Sequence, residues 1–249
     1  MTEQYDFIAD KYDSFMEATP FRPYVEAYTF FSVLGDVEGL NVLDMATGTG
    51  SYARAVAKRG AKSVLGVDVS GEMVAMAQHA EDETPLGVEY AVGDATKFQA
   101  ERPIDVVIAV YLIHYSPTEE YLQSMCDNIA ANLESGGRFV TYLVNPDIST
   151  QGDYYEKYGL FMRTVPTHQQ NGEKVVVQLD LGGDFTPEIT FYRWSRETIE
   201  GALEKAGFKD VNWVHPKLSP SWDGTEGDQD HFDDYIAVPH ALVLECTKA

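Results

Sequence analysis

VLDMATGTGSYA, residues 42–53, is the stretch from which the fold of this chain is inferred. The mostly apolar residues up to Met45 predict a short strand, while the residues after Gly50 predict a helix. Glycines at a strand-to-helix turn let a ligand approach the backbone closely. With Ala53 the loop also satisfies the pattern G-x-G-x-x-A, so a dinucleotide cofactor has to be weighed against others.

The same alternation of strand and helix continues on the carboxyl side of this loop. Because parallel strands need long crossovers, which are almost always right-handed, this rhythm predicts a doubly wound α/β fold with a parallel sheet. Strands are predicted at 41–45, 63–67, 88–92, 104–111 and 138–144, and helices at 52–59, 71–80 and 118–133. Near the carboxyl terminus a helix is predicted at 195–206 and strands at 211–215 and 241–246.

The rhythm is absent at the amino terminus and is interrupted after residue 144. We expect an aromatic-rich helical cap, then the core, then an inserted lid with two antiparallel strands, and finally the carboxyl-terminal part of the core with one helix and two strands. The boundaries are 1–34 for the cap, 35–144 for the core, 145–194 for the lid and 195–249 for the last part.

An aspartate follows each of the first three predicted strands. Asp44, Asp68 and Asp94 should converge, because ligands of open α/β sheets bind at the carboxyl ends of the strands. Asp68 lies 68 − 50 = 18 positions after Gly50, close to the spacing of about 20 expected for an acid that accepts from ribose hydroxyls. Asp94 can accept from the exocyclic amine of adenine, and Asp44 suits an ammonium group.

Asp44 separates two cofactor classes. A pyrophosphate should avoid a carboxylate at the base of the glycine loop, whereas S-adenosylmethionine brings an ammonium and a sulfonium and no phosphate. The residues therefore favour S-adenosylmethionine. Two alternatives stay open, an NAD-dependent oxidoreductase and a non-catalytic cofactor-binding protein, because a fold does not fix a function.

At these residues the chain resembles the class I S-adenosylmethionine-dependent methyltransferases. The resemblance implies a Rossmann-like seven-stranded sheet whose last strand is antiparallel, and S-adenosylhomocysteine as the product. In such enzymes the first acid organises the methionine end, the second holds the ribose, and the end of the fourth strand lies under the sulfonium. The implied cofactor-binding residues are Tyr12, Asp44, Ala46, Gly48, Gly50, Asp68, Val69, Asp94, Ala95, Val110 and Tyr111.

The expected activity is transfer of a methyl group to an N or O atom of a small organic acceptor, a secondary metabolite or its precursor. Asn145-Pro146, Tyr158-Gly159 and Trp194-Ser195-Arg196 are loosely similar to natural-product methyltransferases of the toxoflavin-biosynthesis type.

His114, just after the fourth strand, is the candidate general base, although packing alone also accounts for a histidine there. Aromatic residues that either line the acceptor pocket or pack the core are Tyr24, Tyr28, Phe161, Tyr192 and Trp194.

Composition limits the partners. The net charge of −22 disfavours nucleic acid, which needs a basic surface, although solubility alone also explains it. No apolar run is long enough for a membrane span, and the first residues lack the features of a signal peptide, so we expect a cytoplasmic protein. The two cysteines, far apart in sequence, and the absence of a ligand motif predict no disulfide framework and no metal. A monomer or a homodimer is expected.

Overall fold

The computed structural model of this chain describes residues 19, 21–149, 151, 153–158, 160, 170–178, 188–224 and 230–249. Its strands are β1 (Asn41–Met45), β2 (Ser63–Asp68), β3 (Val88–Val92), β4 (Ile104–Val110), β5 (Leu133–Val144), β6 (Glu173–Gln178), β7 (Glu188–Arg193), β8 (Phe208–Val214) and β9 (Ala241–Lys248). Its α-helices are α1 (Ala27–Leu34), α2 (Ser51–Ala57), α3 (Gly71–Glu83), α4 (Glu119–Asn132), α5 (Arg196–Lys205) and α6 (Asp233–Ala237). A π-helical turn, Arg22–Glu26, leads into α1, and short 3-10 turns form at Ile113–Tyr115 and Glu156–Tyr158.

Seven strands form one mixed sheet in the order β3-β2-β1-β4-β5-β9-β8. β1 pairs in parallel with both β2 and β4, whereas β9 is antiparallel to both β5 and β8. The predicted seven-stranded sheet with an antiparallel last strand is therefore confirmed. Strand order reverses between β1 and β4, and in open α/β sheets this switch point is where ligands bind.

Both faces of the central strands are covered, which explains why their sequences are almost continuously apolar. Alternate residues of a strand point to opposite faces, so Leu43 and Val107 join one buried cluster. Their neighbours Val42 and Val106 join the cluster on the other face. The core thus lies on both sides of β1 and β4 and holds their carboxyl ends in fixed positions.

Several element boundaries differ from the predicted ones. β5 starts at Leu133, five residues earlier than expected, because Leu133 pairs with Ile104 before the register shifts. β8 starts at Phe208, three residues earlier, because Phe208 pairs with Lys248 of the last strand. In both cases the added residues are stabilised by a distant partner strand rather than by a local pattern. The short helix α6 was not predicted.

The predicted lid hairpin forms a separate two-stranded antiparallel sheet, β6 and β7, in which Val175 pairs with Phe191. Its apolar face packs in a third buried cluster together with Phe21 of the amino-terminal segment and Phe232. Within the described ranges, no helix is long and apolar enough to cross a bilayer.

The segment before α6 is packed rather than fully solvated, at least up to residue 224. Ser219 donates its backbone N–H to the carbonyl of Tyr24 at 2.7 Å, and Lys217 donates to Thr29 Oγ1 at 2.8 Å. This segment therefore braces the helical cap against the rest of the fold.

Trp194 anchors the hairpin to the core. Its side chain is 7 % exposed, and its indole Nε1 donates to the carbonyl of Ser116 at 3.0 Å, in the loop after β4. Replacing Trp194 with Phe should lower the free energy of unfolding by about 1–2 kcal/mol, because a buried carbonyl loses its donor. Chemical denaturation followed by circular dichroism measures this change.

The matched control is Trp213→Phe. The Nε1 of Trp213 donates to Glu200 at 2.7 Å, but the residue is only half-buried, so water can replace the lost donor. We expect a clearly smaller loss of stability for this variant. An equal loss in the two variants would contradict the anchoring role of Trp194.

Candidate active site

The glycine loop occupies the space between the carboxyl end of β1 and the start of α2. Ala46 and Thr47 donate their backbone N–H groups to the carbonyl of Val67 at 2.8 and 2.9 Å, which holds the loop on β2. Gly50 has a φ of 85°, and a Cβ atom there would collide with the ring of Tyr90, so only glycine fits.

Ala46 is a second unusual backbone position, with a φ of 69° in the left-handed region. Non-glycine residues rarely adopt this conformation, and such strain is concentrated at functional sites. The backbone at Ala46 therefore adopts a conformation that glycine favours.

Asp44 lies at the end of β1 with only 1 % of its surface exposed. Its Oδ2 accepts from the hydroxyl of Thr47 at 2.8 Å, whereas its buried Oδ1 has no hydrogen-bond partner among the described residues. Burial raises the pKa of this carboxyl to about 7, against the bond from Thr47, and the charge of Asp68 raises it further. An unpartnered carboxylate oxygen lining a cleft is a site for a ligand cation.

Asp68, at the end of β2, bonds the glycine loop directly. Its Oδ2 accepts from the backbone N–H of Gly48 at 2.8 Å, and its Oδ1 accepts from that of Ser70 at 2.9 Å. These bonds fix the carboxylate at the end of β2, where it lines a pocket with Val69 and Asp94.

Asp94, after β3, is braced by Thr96, whose backbone N–H and hydroxyl both donate to Oδ1 at 2.8 Å. Partial burial raises the pKa of Asp94, but these bonds and the charge of Lys97 outweigh it and leave the pKa below its usual value. The carboxylate therefore stays ionised, and it lines a pocket together with Val69 and Ala95.

Two concave regions meet at the switch point. A pocket of about 110 Å³ is lined by Asp68 and Val69 after β2 and by Asp94 and Ala95 after β3. A wider cleft of about 520 Å³ is lined by Asp44 and by the glycine loop. The residues that line both regions form their junction, and they are Ala46, Gly48, Val110 and Tyr111.

The structure thus brings together almost all of the sequence-predicted cofactor residues. The exceptions are Gly50 and Tyr12. Gly50 lines neither region but donates its N–H to the carbonyl of Thr47 within the loop at 3.0 Å. Tyr12 lies outside the described residues. Of the predicted acceptor-pocket residues, Phe161 also lies outside them.

The other candidate acceptor residues line neither of the two regions. Tyr24 packs edge-on against Trp222 with ring centroids 4.9 Å apart, and Trp194 belongs to the core. Tyr192 packs beside that core, and Tyr28 is half-buried on α1. For these four positions the geometry favours the packing interpretation.

His114 lines neither region, but its ring packs against Tyr111, which lines both, with centroids 5.8 Å apart. The side chain is 5 % exposed and packs against Tyr115, with ring centroids 4.4 Å apart, and against Phe191. Burial lowers the pKa of His114 to about 3, which makes the imidazole a weak proton acceptor near neutral pH. Burial and the lowered pKa disfavour a role as general base, which stays a prediction from the sequence.

Sequence reasoning missed the polar wall of the wider cleft. Arg22, Glu26 and Tyr52 line it, with Phe31 at its apolar side. No local motif marks these residues, because the cleft is formed by the helical cap packing over the glycine loop. In the described ranges, no cluster of three or more His, Cys, Asp or Glu side chains could hold a metal ion.

Comparison with known proteins agrees with this geometry. Residues 42–137 match the model of a methyltransferase domain family. Over 99 residues the chain is 33% identical to a ubiquinone biosynthesis O-methyltransferase of Leptothrix cholodnii, covering 39% of this chain and 42% of that protein. It is 30% identical over 138 residues to phosphoethanolamine N-methyltransferase 2 of Caenorhabditis elegans, covering 54% of this chain and 31% of that protein. The matches thus span less than half the length of these two relatives.

Solved structures extend the likeness to most of the chain. A protein of Listeria monocytogenes assigned to the S-adenosylmethionine-dependent methyltransferases superposes with a TM-score of 0.67 at 25% identity, over 90% of this chain and 96% of that one. The complex of DhpI with SAH superposes with a TM-score of 0.62 at 19% identity, over 100% and 95% of the two chains, which supports the fold.

The order of the strands and the cleft at the switch point are typical of doubly wound α/β proteins that bind a nucleoside-containing cofactor. More particularly, residues 42–137 form a class I S-adenosylmethionine-dependent methyltransferase domain, and its cofactor is S-adenosylmethionine. The resemblance read from the sequence is confirmed at this level.

The raised pKa of Asp44 gives a testable linkage. The native state holds this proton more tightly than the unfolded chain, so the resulting stability is present below about pH 4 and is lost as the pH rises through about 7. Between pH 5 and pH 8, ligand-free Asp44→Asn should therefore gain about 2 kcal/mol relative to the wild type. Thermal unfolding at the two pH values measures this gain.

Binding should change in the opposite direction. S-adenosylhomocysteine carries an ammonium that the ionised Asp44 can pair with, so its affinity for the wild type should rise as the pH increases from 6 to 8. Asp44→Asn should bind at least tenfold more weakly at pH 8 and should lose this pH dependence. A variant that binds like the wild type would show that the ammonium lies elsewhere.

Proposed function

We propose that this chain transfers the methyl group of S-adenosylmethionine to an N or O atom of a small organic acceptor. The observation that carries the proposal is the unpartnered, buried oxygen of Asp44 in a cleft that joins the adenosine pocket at the end of β4. Buried polar atoms normally have partners, so this one fits the ammonium of the cofactor.

The two ends of the cofactor determine where its centre lies. Asp94 and Asp68 would hold the adenine and ribose on one side, and Asp44 would hold the amino acid on the other. Arg22, which lines the same cleft as Asp44, would donate to the carboxylate of the cofactor's amino acid. The sulfonium, which connects these ends covalently, would then lie at the junction beside Val110 and Tyr111.

The cofactor would supply a methyl group bound to a positively charged sulfur, which leaves as the neutral thioether of S-adenosylhomocysteine when the acceptor bonds to the methyl carbon, so the task of the protein is alignment and exclusion of water. The main chain of β1 and β4 is rigid because both strands are buried on both faces. Ala46 and Tyr111, with φ values of 69° and 62°, have strained backbones of the kind that is concentrated at functional sites, which supports a preorganised junction.

A small organic acceptor is supported by two lines of argument. The relatives with matching sequence include an enzyme named for O-methylation in ubiquinone biosynthesis and one named for N-methylation of phosphoethanolamine. The net charge of −22 opposes large polyanions. We further propose a secondary metabolite or its precursor as the acceptor, and a cytoplasmic monomer or homodimer that binds no nucleic acid.

The NAD-dependent alternative conflicts with the position of Asp44. A diphosphate in the wider cleft would meet a buried carboxylate that already lacks a compensating cation, which is unfavourable in a low-dielectric site. A non-catalytic cofactor-binding protein would have the same site, and no observation favours it over an enzyme.

Calorimetry tests the cofactor site. The wild type should bind S-adenosylhomocysteine and should not bind NADH. Asp68→Ala should weaken S-adenosylhomocysteine binding by about 1–3 kcal/mol, because hydrogen bonds at a partly buried site are lost. The matched control is Asp105→Asn, since Asp105 also accepts a backbone N–H, from Asn41 at 2.8 Å, but at the opposite edge of the sheet. Binding of NADH alone would reverse the assignment.

An acceptor screen tests the reaction. Release of S-adenosylhomocysteine is measured with a panel of hydroxylated aromatic compounds and a panel of small amines, including phosphoethanolamine. Release above the acceptor-free background with one panel would identify O- or N-transfer. Binding of the cofactor without release for any compound would contradict a small-molecule acceptor of these two classes.

A further inference from the structure

Three acidic side chains are buried in the described part of the chain, and one of them has no role so far. Asp44 faces the ligand cleft. Glu81 is paired with Arg54 and accepts backbone N–H groups of the loop before β3, which is a structural role. Glu26, the third, is 0% exposed and lies in the π-helical turn that precedes α1. Turns of this kind are rare and are often found at functional sites.

Glu26 connects three separate elements. Its Oε1 accepts from the hydroxyl of Tyr52 on α2 at 2.8 Å and pairs with Arg22 at 3.2 Å. Its Oε2 accepts from the hydroxyl of Tyr111, just after β4, at 2.7 Å. A buried carboxylate with several donors is strongly held, because breaking any bond leaves an uncompensated charge.

The network continues behind Tyr111. Its hydroxyl oxygen lies 2.9 Å from Nε2 of His240, and Nδ1 of His240 lies 2.6 Å from the hydroxyl of Tyr235. Burial lowers the pKa of His240 to about 3, and the charge of Arg22 lowers it further, so the imidazole is neutral.

Only one direction of donation satisfies all of these atoms. Tyr111 gives its proton to Glu26, so His240 donates its Nε2 hydrogen to Tyr111, and Tyr235 donates to Nδ1. Each bond in this series points its donor toward Glu26, and aligned bonds of this kind strengthen one another. The negative end of the network is therefore the carboxylate of Glu26.

Tyr111 also borders the junction of the two cofactor regions. Its backbone has a left-handed φ of 62°, and its two hydroxyl bonds hold it there. The guanidinium of Arg22 lies 5.6 Å from the centre of its ring, so the ring already contacts one cation. A phenol that donates to a carboxylate carries more electron density on its ring, and an electron-rich ring attracts cations.

We propose that Glu26 is a positioning residue that acts through Tyr111 to make the junction favour a cationic centre over a neutral one. The inference rests on the proposed function, which places the sulfonium at this junction. The cofactor is cationic there and the product S-adenosylhomocysteine is neutral, so the network would favour binding of the methyl donor over retention of the spent product.

The test is the ratio of two dissociation constants, that of S-adenosylhomocysteine divided by that of S-adenosylmethionine, measured by calorimetry without acceptor. A unit charge about one aromatic ring away in a protein changes the affinity for a cation by roughly tenfold, and Arg22 offsets part of it. Glu26→Gln should therefore lower the ratio by about fivefold, while the affinity for S-adenosylhomocysteine stays within about twofold.

Tyr111→Phe is the second variant, in case Glu26→Gln does not fold. It keeps the ring and removes the bond to Glu26, so the ratio should fall in the same direction. The matched control is Glu81→Gln, which removes a buried, arginine-paired carboxylate away from both regions and should leave the ratio unchanged.

Two outcomes would overturn the inference alone: an unchanged ratio in Glu26→Gln and Tyr111→Phe, or an equal loss of affinity for both ligands, which indicates a purely structural role. Failure of the wild type to bind either ligand would overturn the proposed function, and this inference with it.

Discussion

A buried carboxylate oxygen, Oδ1 of Asp44, has no hydrogen-bond partner among the described residues, and it is the constraint on which the proposed site depends. Removing a charge from water is costly unless a cation or a donor compensates it. The fold places Asp44 at the buried end of the central strand, where the residue lines the wider cleft. A cationic ligand group in that cleft would compensate the charge, which is why the proposed function starts from this residue.

The other residues of the site depend on this position in different ways. Gly48 and Gly50 of the glycine loop adopt left-handed conformations, and Asp68 holds the loop in place by accepting the N–H of Gly48. Asp94 is braced by Thr96 and stays ionised. Three carboxylates thus present different degrees of burial, which suits three donors as different as an ammonium, a diol and an aromatic amine.

The helical cap adds a second buried charge on the other side of the junction. Glu26 is compensated by the protein itself, through Arg22, Tyr52 and Tyr111, whereas Asp44 is not. A carboxylate with several donors stabilises the arrangement of its partners, so Glu26 holds the cap, α2 and the residue after β4 together at the wall of the cleft.

Much of the fold was predictable from the sequence. Apolar runs and glycines mark β1, β2, β3 and the glycine loop, because strand formation and turn conformation depend on neighbouring residues. The acids after these strands could be assigned to one edge of the sheet, since parallel strands place their carboxyl ends together. The starts of β5 and β8 were wrong by several residues, because pairing with distant strands extends them beyond their local pattern.

By itself, the sequence determined the doubly wound core, the carboxyl edge at which a ligand binds and the class of cofactor. The tertiary structure alone decided that Oδ1 of Asp44 has no hydrogen-bond partner among the described residues, that His114 is buried among aromatic rings, and that Glu26 meets Tyr52, Tyr111 and, through Tyr111, His240. These four residues are as much as 240 − 26 = 214 positions apart. Periodicity reports which face of an element is buried, but burial and hydrogen bonding of a single side chain depend on how separate elements pack.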